Sequence, residues 1–112
     1  MTVLAVARVH GVAAGRRQLI ELLRRTAAAA RAEPGCRSYD IAEALDTADD
    51  FVVVHAWVDE AALEAHYRGV AHEAYRHEVF GLLARPSELA IHQVASTEYP
   101  VDPGPMDPRQ AD

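Results

Sequence analysis

The chain contains no lysine; its eleven cations are all arginine. It contains a single cysteine, Cys36, so no internal disulfide can form and a cross-linked secreted scaffold is excluded. Long apolar runs are missing too. The longest spans about eight residues even when one histidine is allowed, well short of the roughly 20 needed to cross a bilayer, so no membrane partner is expected. The opening stretch MTVLAVARVHG has no basic segment ahead of its apolar residues and does not read as a signal peptide. With the lone cysteine, this points to a cytoplasmic location. Positive charge is outnumbered: 11 arginines face 17 carboxylates, a net charge of −6, which makes a poor binder of nucleic-acid phosphates. There is no Cys-x-x-Cys pair and no glycine-rich phosphate loop. His66, His72 and His77 follow one another at spacings of six and five, neither of which is the i, i+4 ladder of a helical metal pair. No metal and no cofactor is therefore expected.

What is present is the balance of one globular domain: 112 residues, half of them hydrophobic and a quarter charged. Residues 3–10 read as a strand, with Arg8 and His10 on one face and Ala7 and Val9 on the other. Residues 16–31 read as a helix whose stripe is Leu19, Ile20, Leu22, Leu23, Ala27 and Ala30. Pro34 and Gly35 end it. Residues 36–44 and 51–58 read as strands around the polar turn at 46–50. Asp59 is placed to cap a helix over 60–68. Gly69 and Val70 interrupt that helix, and a second segment runs to about Ala84, where Arg85-Pro86 stops it. Residues 88–95 read as a fourth strand. The order β-α-β-β-α-β is the ferredoxin-like plan, an α+β fold with a four-stranded antiparallel sheet and its helices on one face. The other face would expose Leu4, Val6 and alternate residues of the third strand, which calls for a second copy packed face to face. The domain would occupy residues 1–98, and the Pro/Asp-rich residues 99–112 read as a mobile tail.

Three landmarks carry a family resemblance: Glu33-Pro34-Gly35-Cys36 with Tyr39; Phe51-Val52-Val53-Val54 leading to Trp57; and Asp59-Glu60-Ala61-Ala62-Leu63 leading to His66, with His72 after it. In this ordered set the chain resembles the antibiotic biosynthesis monooxygenases over about residues 2–95. The resemblance implies a dimeric α+β barrel, a homodimer, and oxygenation of quinols or phenolic polyketides by dioxygen without flavin or metal. Some related proteins degrade haem, but they carry an asparagine on the first strand, where this chain has Ala7 or Arg8, and a tryptophan near the position of His66. Some polyketide-oxidising members place an asparagine four residues before the strand tryptophan; here that residue is Val53.

Oxidation without a cofactor needs a flat apolar slot, a base for a phenolic proton and donors for a developing oxyanion. His66 and His72 are the candidate bases, His72 favoured by a helix N-terminus that lowers its pKa. Trp57 is the candidate wall of the slot, its indole N–H able to donate to a bound oxygen. Phe51, Val53 and His55 share its strand face by the period of two. With Tyr67 and Tyr75 they are the expected contacts to a small aromatic substrate. His55 could be a second acid-base group of the pocket, but it reads more readily as a satisfied core histidine. Arg8, His10 and His92 are expected to meet on the outer sheet face, and Arg37 and Tyr39 at an interface or rim. His77 is expected in solvent. An isomerase or cyclase using the same histidines for proton transfer, and a non-catalytic binding dimer, are the competing readings of these residues.

Overall fold

A computed structural model describes residues 1–101 and 104. The elements are β1 (Thr2–His10), α1 (Arg16–Arg31), β2 (Cys36–Glu43), β3 (Asp50–Trp57), α2 (Glu60–Arg68), α3 (Val70–Val79) and β4 (Glu88–Val94), with short 3-10 turns at Ala13–Gly15 and Phe80–Leu82. The four strands form one antiparallel sheet in the order β2-β3-β1-β4. This is the ferredoxin-like α+β plan.

Alternation decides which strand residues face the helices. Val3, Ala5 and Val9 of β1 and Phe51, Val53, His55 and Trp57 of β3 are buried, while the residues between them are half-exposed or exposed. Against this face α1 lays Leu19, Leu22, Leu23, Ala27 and Ala30, its apolar stripe at helical spacing. Leu63 of α2 and Val79 of α3 close the layer. The expected Asp59 cap is present: its carboxylate accepts from the Ala62 amide at 2.9 Å. The second helical segment is shorter than expected. It leaves the α-helix at Val79, and Leu83 then bridges Gly11 while the Ala84 amide donates to the His10 carbonyl. Extended pairing with the end of β1 takes those backbone groups away from the helix.

His10 also departs from its expected place. It is not on an outer face with His92: Leu4 stands opposite His92, and Arg8 opposite Glu88. At the strand end His10 is fully buried, with Nδ1 3.0 Å from Asp50 and Nε2 2.8 Å from Glu88. It ties β1 to both of its neighbours. The hydrogen bond from His10 holds the Asp50 carboxyl below its usual pKa. Expectations for residues 102, 103 and 105–112 of the tail lie outside the described residues. No helix of the described residues is long and apolar enough to cross a membrane.

The turn from α1 into β2, at residues 33–36, joins the helix layer to the sheet. Gly35 has φ +83°, and the Cys36 amide donates to the Glu33 carbonyl at 3.2 Å. Proline second and a positive-φ glycine third is the pattern of a type II turn. The Gly35 carbonyl accepts from the Val58 amide at 2.8 Å, latching the turn to the end of β3. A Cβ on Gly35 would stand 2.6 Å from the Ala62 Cβ and 2.9 Å from Val58. Gly35→Ala therefore combines a left-handed backbone with overpacking, and should destabilise the fold by about 2–4 kcal/mol. Urea unfolding measures this; a loss under about 1 kcal/mol would mean that the turn yields.

Candidate functional site

The helix layer does not seal the sheet. Between β1, β2 and β3 on one side and α2 and α3 on the other lies a cavity of about 330 Å³. Its wall includes Tyr39, Val53, His55, His66, Tyr67, His72, Tyr75 and Arg76, with aliphatic residues filling the gaps. This is the lower end of the size of ligand pockets, about 300–1,000 Å³.

Each polar ring arrives there for a local reason. Tyr39 and His55 face one another across the β2–β3 pair, in register, with ring centroids 4.6 Å apart. Arg31, at the end of α1, donates from Nε and Nη2 to the Tyr39 carbonyl at 3.0 and 2.7 Å and fixes that part of β2. His66 lies three residues beyond Leu63 on the inward face of α2 and is 2% exposed. Gly69 ends α2 and restarts the chain as α3, which turns His72 and then Tyr75 toward the same space. The outcome is a continuous chain of rings. His66 lies 4.7 Å from Trp57, 5.5 Å from His55, 5.2 Å from Tyr67 and 5.3 Å from His72, and His72 stacks on Tyr75 at 5.7 Å.

Hydrogen bonds order the chain. The Trp57 indole Nε1 donates to His55 Nδ1 at 2.8 Å. A neutral His55 must then carry its proton on Nε2, as a donor. His66 Nδ1 lies 2.6 Å from Glu33 Oε1. Glu33 is the first residue of the Pro-Gly turn, so the geometry of that turn aims the carboxylate. The other carboxylate oxygen lies close to Gly69, where a Cβ would come within 3.3 Å of it. The partnership leaves Nδ1–H donating to Glu33 and Nε2 as a lone-pair base. Two polar atoms in this wall, the Tyr67 hydroxyl and His72 Nδ1, are buried without a hydrogen-bond partner.

Electrostatics hold two of the three imidazoles neutral. Burial, then the neighbouring His66 and His72, lowers the His55 pKa to about 4. His72 is also lowered to about 4, by burial first and then by His66 and Arg76. The direction expected for His72 holds, but desolvation is its main cause. Burial likewise raises Tyr39 and Tyr67, and pushes Tyr75 up to about 12, so these phenols remain protonated donors at neutral pH. The Cys36 thiol is raised by burial and by Glu33, and donates to the Ser38 carbonyl, which does not describe an activated nucleophile.

Of the residues singled out in the sequence, His66, His72, Val53, His55, Tyr67 and Tyr75 line this one cavity. Trp57 and Phe51 do not. Phe51 lines a separate groove of about 380 Å³ with Ile41 and residues of α1, and the Arg16 guanidinium lies 5.5 Å from its ring centroid. The alternation correctly puts both residues on the inner face. They stand at opposite ends of β3, though, about 20 Å apart at the rise of a strand, and the cavity lies between them. Trp57 is fully buried behind His55, so its N–H serves His55 and not a bound oxygen. Tyr39, expected at a rim, is buried in the wall. Glu33 was visible only as part of a turn motif; its pairing with His66, 33 residues away, leaves no local signal. His77 is exposed on the far side of α3. Among the described residues no group of three or more His, Cys, Asp or Glu is arranged to hold a metal.

This fold and this cavity have relatives. The antibiotic biosynthesis monooxygenase family matches residues 2–78, and the chain belongs to that family. In structure it is similar to Rv0793 of Mycobacterium tuberculosis, with a TM-score of 0.82 and 29% identity, over 88% of this chain and all of that one. The protein PA3566 of Pseudomonas aeruginosa gives 0.77 at 23% identity, over 85% and 95%. A conserved protein of Methanosarcina mazei gives 0.79 at 18%, over 83% and 92%. In sequence, the uncharacterized protein sll1783 of Synechocystis is 32% identical over 68 residues, 61% of this chain and 46% of that protein. The chain thus spans about half the length of that curated relative.

The depressed histidines make a prediction about acid. Between about pH 6.5 and 4 the unfolded chain protonates its histidines while folded His55 and His72 stay neutral. The unfolded state then binds more protons, so stability is full above pH 6.5 and falls as the pH drops toward 4. Imidazole resonances of these two residues should titrate only near pH 4, with Tm declining over the same window. Midpoints near 6.5 would mean that both rings are hydrated.

Proposed function

We propose that the chain is a cofactor-independent monooxygenase that oxidises a quinol or phenolic, polyketide-like small molecule with dioxygen, with His66 as the base. The observation that carries this reading is the His66–Glu33 pair at 2.6 Å, with the imidazole in the wall of a ring-lined cavity and the carboxylate behind it. Three imidazoles this close cannot all hold charge, because each added proton repels the next. One of them, His66, has a carboxylate placed to accept from its Nδ1–H and to stabilise an imidazolium formed during the reaction.

The chemistry follows from that choice. His66 Nε2 takes the phenolic proton, and Glu33 stabilises the imidazolium. The substrate anion passes one electron to dioxygen, giving a substrate radical and superoxide. These combine at a hydrogen-bearing ring carbon ortho or para to the phenolate, forming a C–O bond and, with a proton from the imidazolium, a hydroperoxide. Cleavage of the O–O bond with loss of that carbon's hydrogen releases water and leaves a carbonyl. One oxygen atom enters the product, the other leaves in water, and the substrate supplies both remaining electrons. His55 Nε2–H and the tyrosine hydroxyls are the donors for the charge that develops on oxygen.

Oxygen uptake with a panel of quinols and anthrone-like phenols tests the reading. His66→Ala should lower kcat/KM by about 10²–10⁴, and Glu33→Gln should lower it less while moving the acid limb of the pH profile. Uptake that never exceeds the spontaneous rate would sink the oxygenase.

The same reading includes a homodimer. Leu4, Val6, Val52, Val54 and Ala56 form a half-exposed apolar strip on the sheet face away from the helices, a surface of the kind that marks an association site. Sedimentation should give twice the 12.2 kDa chain mass, and Val54→Lys should give the monomer. A wild-type monomer at micromolar concentration would contradict it.

A further inference from the structure

Among the described residues the cavity wall contains one permanently charged side chain. Arg76 of α3 lines it, and no carboxylate of the described residues does. The nearby acids are engaged elsewhere: Glu73 faces His77, and Glu78 pairs with Arg25. Arg76 has neither an ion pair nor a hydrogen bond among the described residues. Its charge is felt inside the wall, since it contributes to lowering His72 one turn earlier on the helix. Ser87, on the segment entering β4, is a further polar residue of the same wall. In a chain of net charge −6, anions are repelled in general, so an unneutralised guanidinium beside an apolar slot is a local exception with a chemical meaning.

We infer that Arg76 selects an aromatic substrate bearing an anionic substituent, a carboxylate on the ring system being the simplest case. This rests on the aromatic-substrate reading of the cavity and narrows it. A guanidinium binds a carboxylate in a planar, two-pronged way that lysine cannot reproduce. It also fixes the ring by one edge, which leaves the phenolic edge to meet His66. Partial exposure to solvent keeps the gain modest.

Anaerobic calorimetry separates binding from turnover. The probes are 1,4-dihydroxy-2-naphthoate and 1,4-dihydroxynaphthalene, which differ by the carboxylate alone. Wild-type protein should bind the carboxylate about tenfold more tightly. Arg76→Gln should abolish that preference by weakening the carboxylate selectively, and Arg76→Lys should recover only part of it. The side chain is exposed on a helix, so these variants should fold. Equal affinities in the wild type, or an Arg76→Gln loss equal for both quinols, would overturn the assignment while leaving the oxygenase reading intact. Binding of neither quinol would overturn both.

Discussion

A carboxylate 2.6 Å from a buried imidazole is the constraint on which the rest of this structure turns. His66 is 2% exposed, and an imidazole taken out of water without a partner is costly. Glu33 removes that cost, but only from one position. It must leave α1, turn and face α2 within a few residues. Pro34 and Gly35 make the turn, Arg31 ties down the strand beyond it through the Tyr39 carbonyl, and the Gly35 carbonyl latches the turn to Val58. Helix end, turn, strand start and the second helix are thus held in register around one hydrogen-bonded pair.

From that pair the polarity of the cavity is graded. His55 is satisfied at Nδ1 by Trp57 and held neutral by burial; His72 is neutral for the same reason and keeps an unpartnered nitrogen. The tyrosines are pushed toward their protonated forms. At neutral pH the wall therefore offers hydrogen-bond donors and ring faces, with one site suited to accept a proton. With the Arg76 guanidinium added at its exposed edge, such a wall can stabilise negative charge that appears on a ligand. The Tyr67 hydroxyl and His72 Nδ1, without protein partners among the described residues, are the wall's free hydrogen-bonding groups.

Most of the fold was legible because it depends on period. The stripe of α1, the alternation in β1 and β3, the Asp59 cap and the break at Gly69 are all local patterns, and each is where the sequence puts it. The rule that misled was the same alternation applied too far. It reports which face a residue occupies, not where along the strand, so Phe51 and Trp57 were grouped with a cavity that lies between them. His10 shows the complementary limit. At a strand end a side chain can turn to a partner off the sheet face, and the two carboxylates that draw it in come from β3 and β4, far along the chain. The Glu33–His66 pairing was unreadable for the same reason: nothing in either local segment requires the other.

The position of His66 follows from the topology as much as from the residue. In this fold the sheet and helices enclose the cavity within one chain, and the helix break at Gly69 makes room for it: an unbroken helix would carry His72 and Tyr75 along one axis past the sheet. Ending α2 at Arg68 and restarting α3 at Val70 lets two successive helices each contribute a histidine to one point, with imidazole centroids 5.3 Å apart. Gly69 serves a second purpose there, since its missing side chain admits the Glu33 carboxylate. One residue thus separates the two helices and makes room for the group that distinguishes their histidines: His66 receives the carboxylate, and His72, one turn beyond the break, does not. The asymmetry between the two imidazoles, one with a carboxylate partner and one without, is set by backbone geometry.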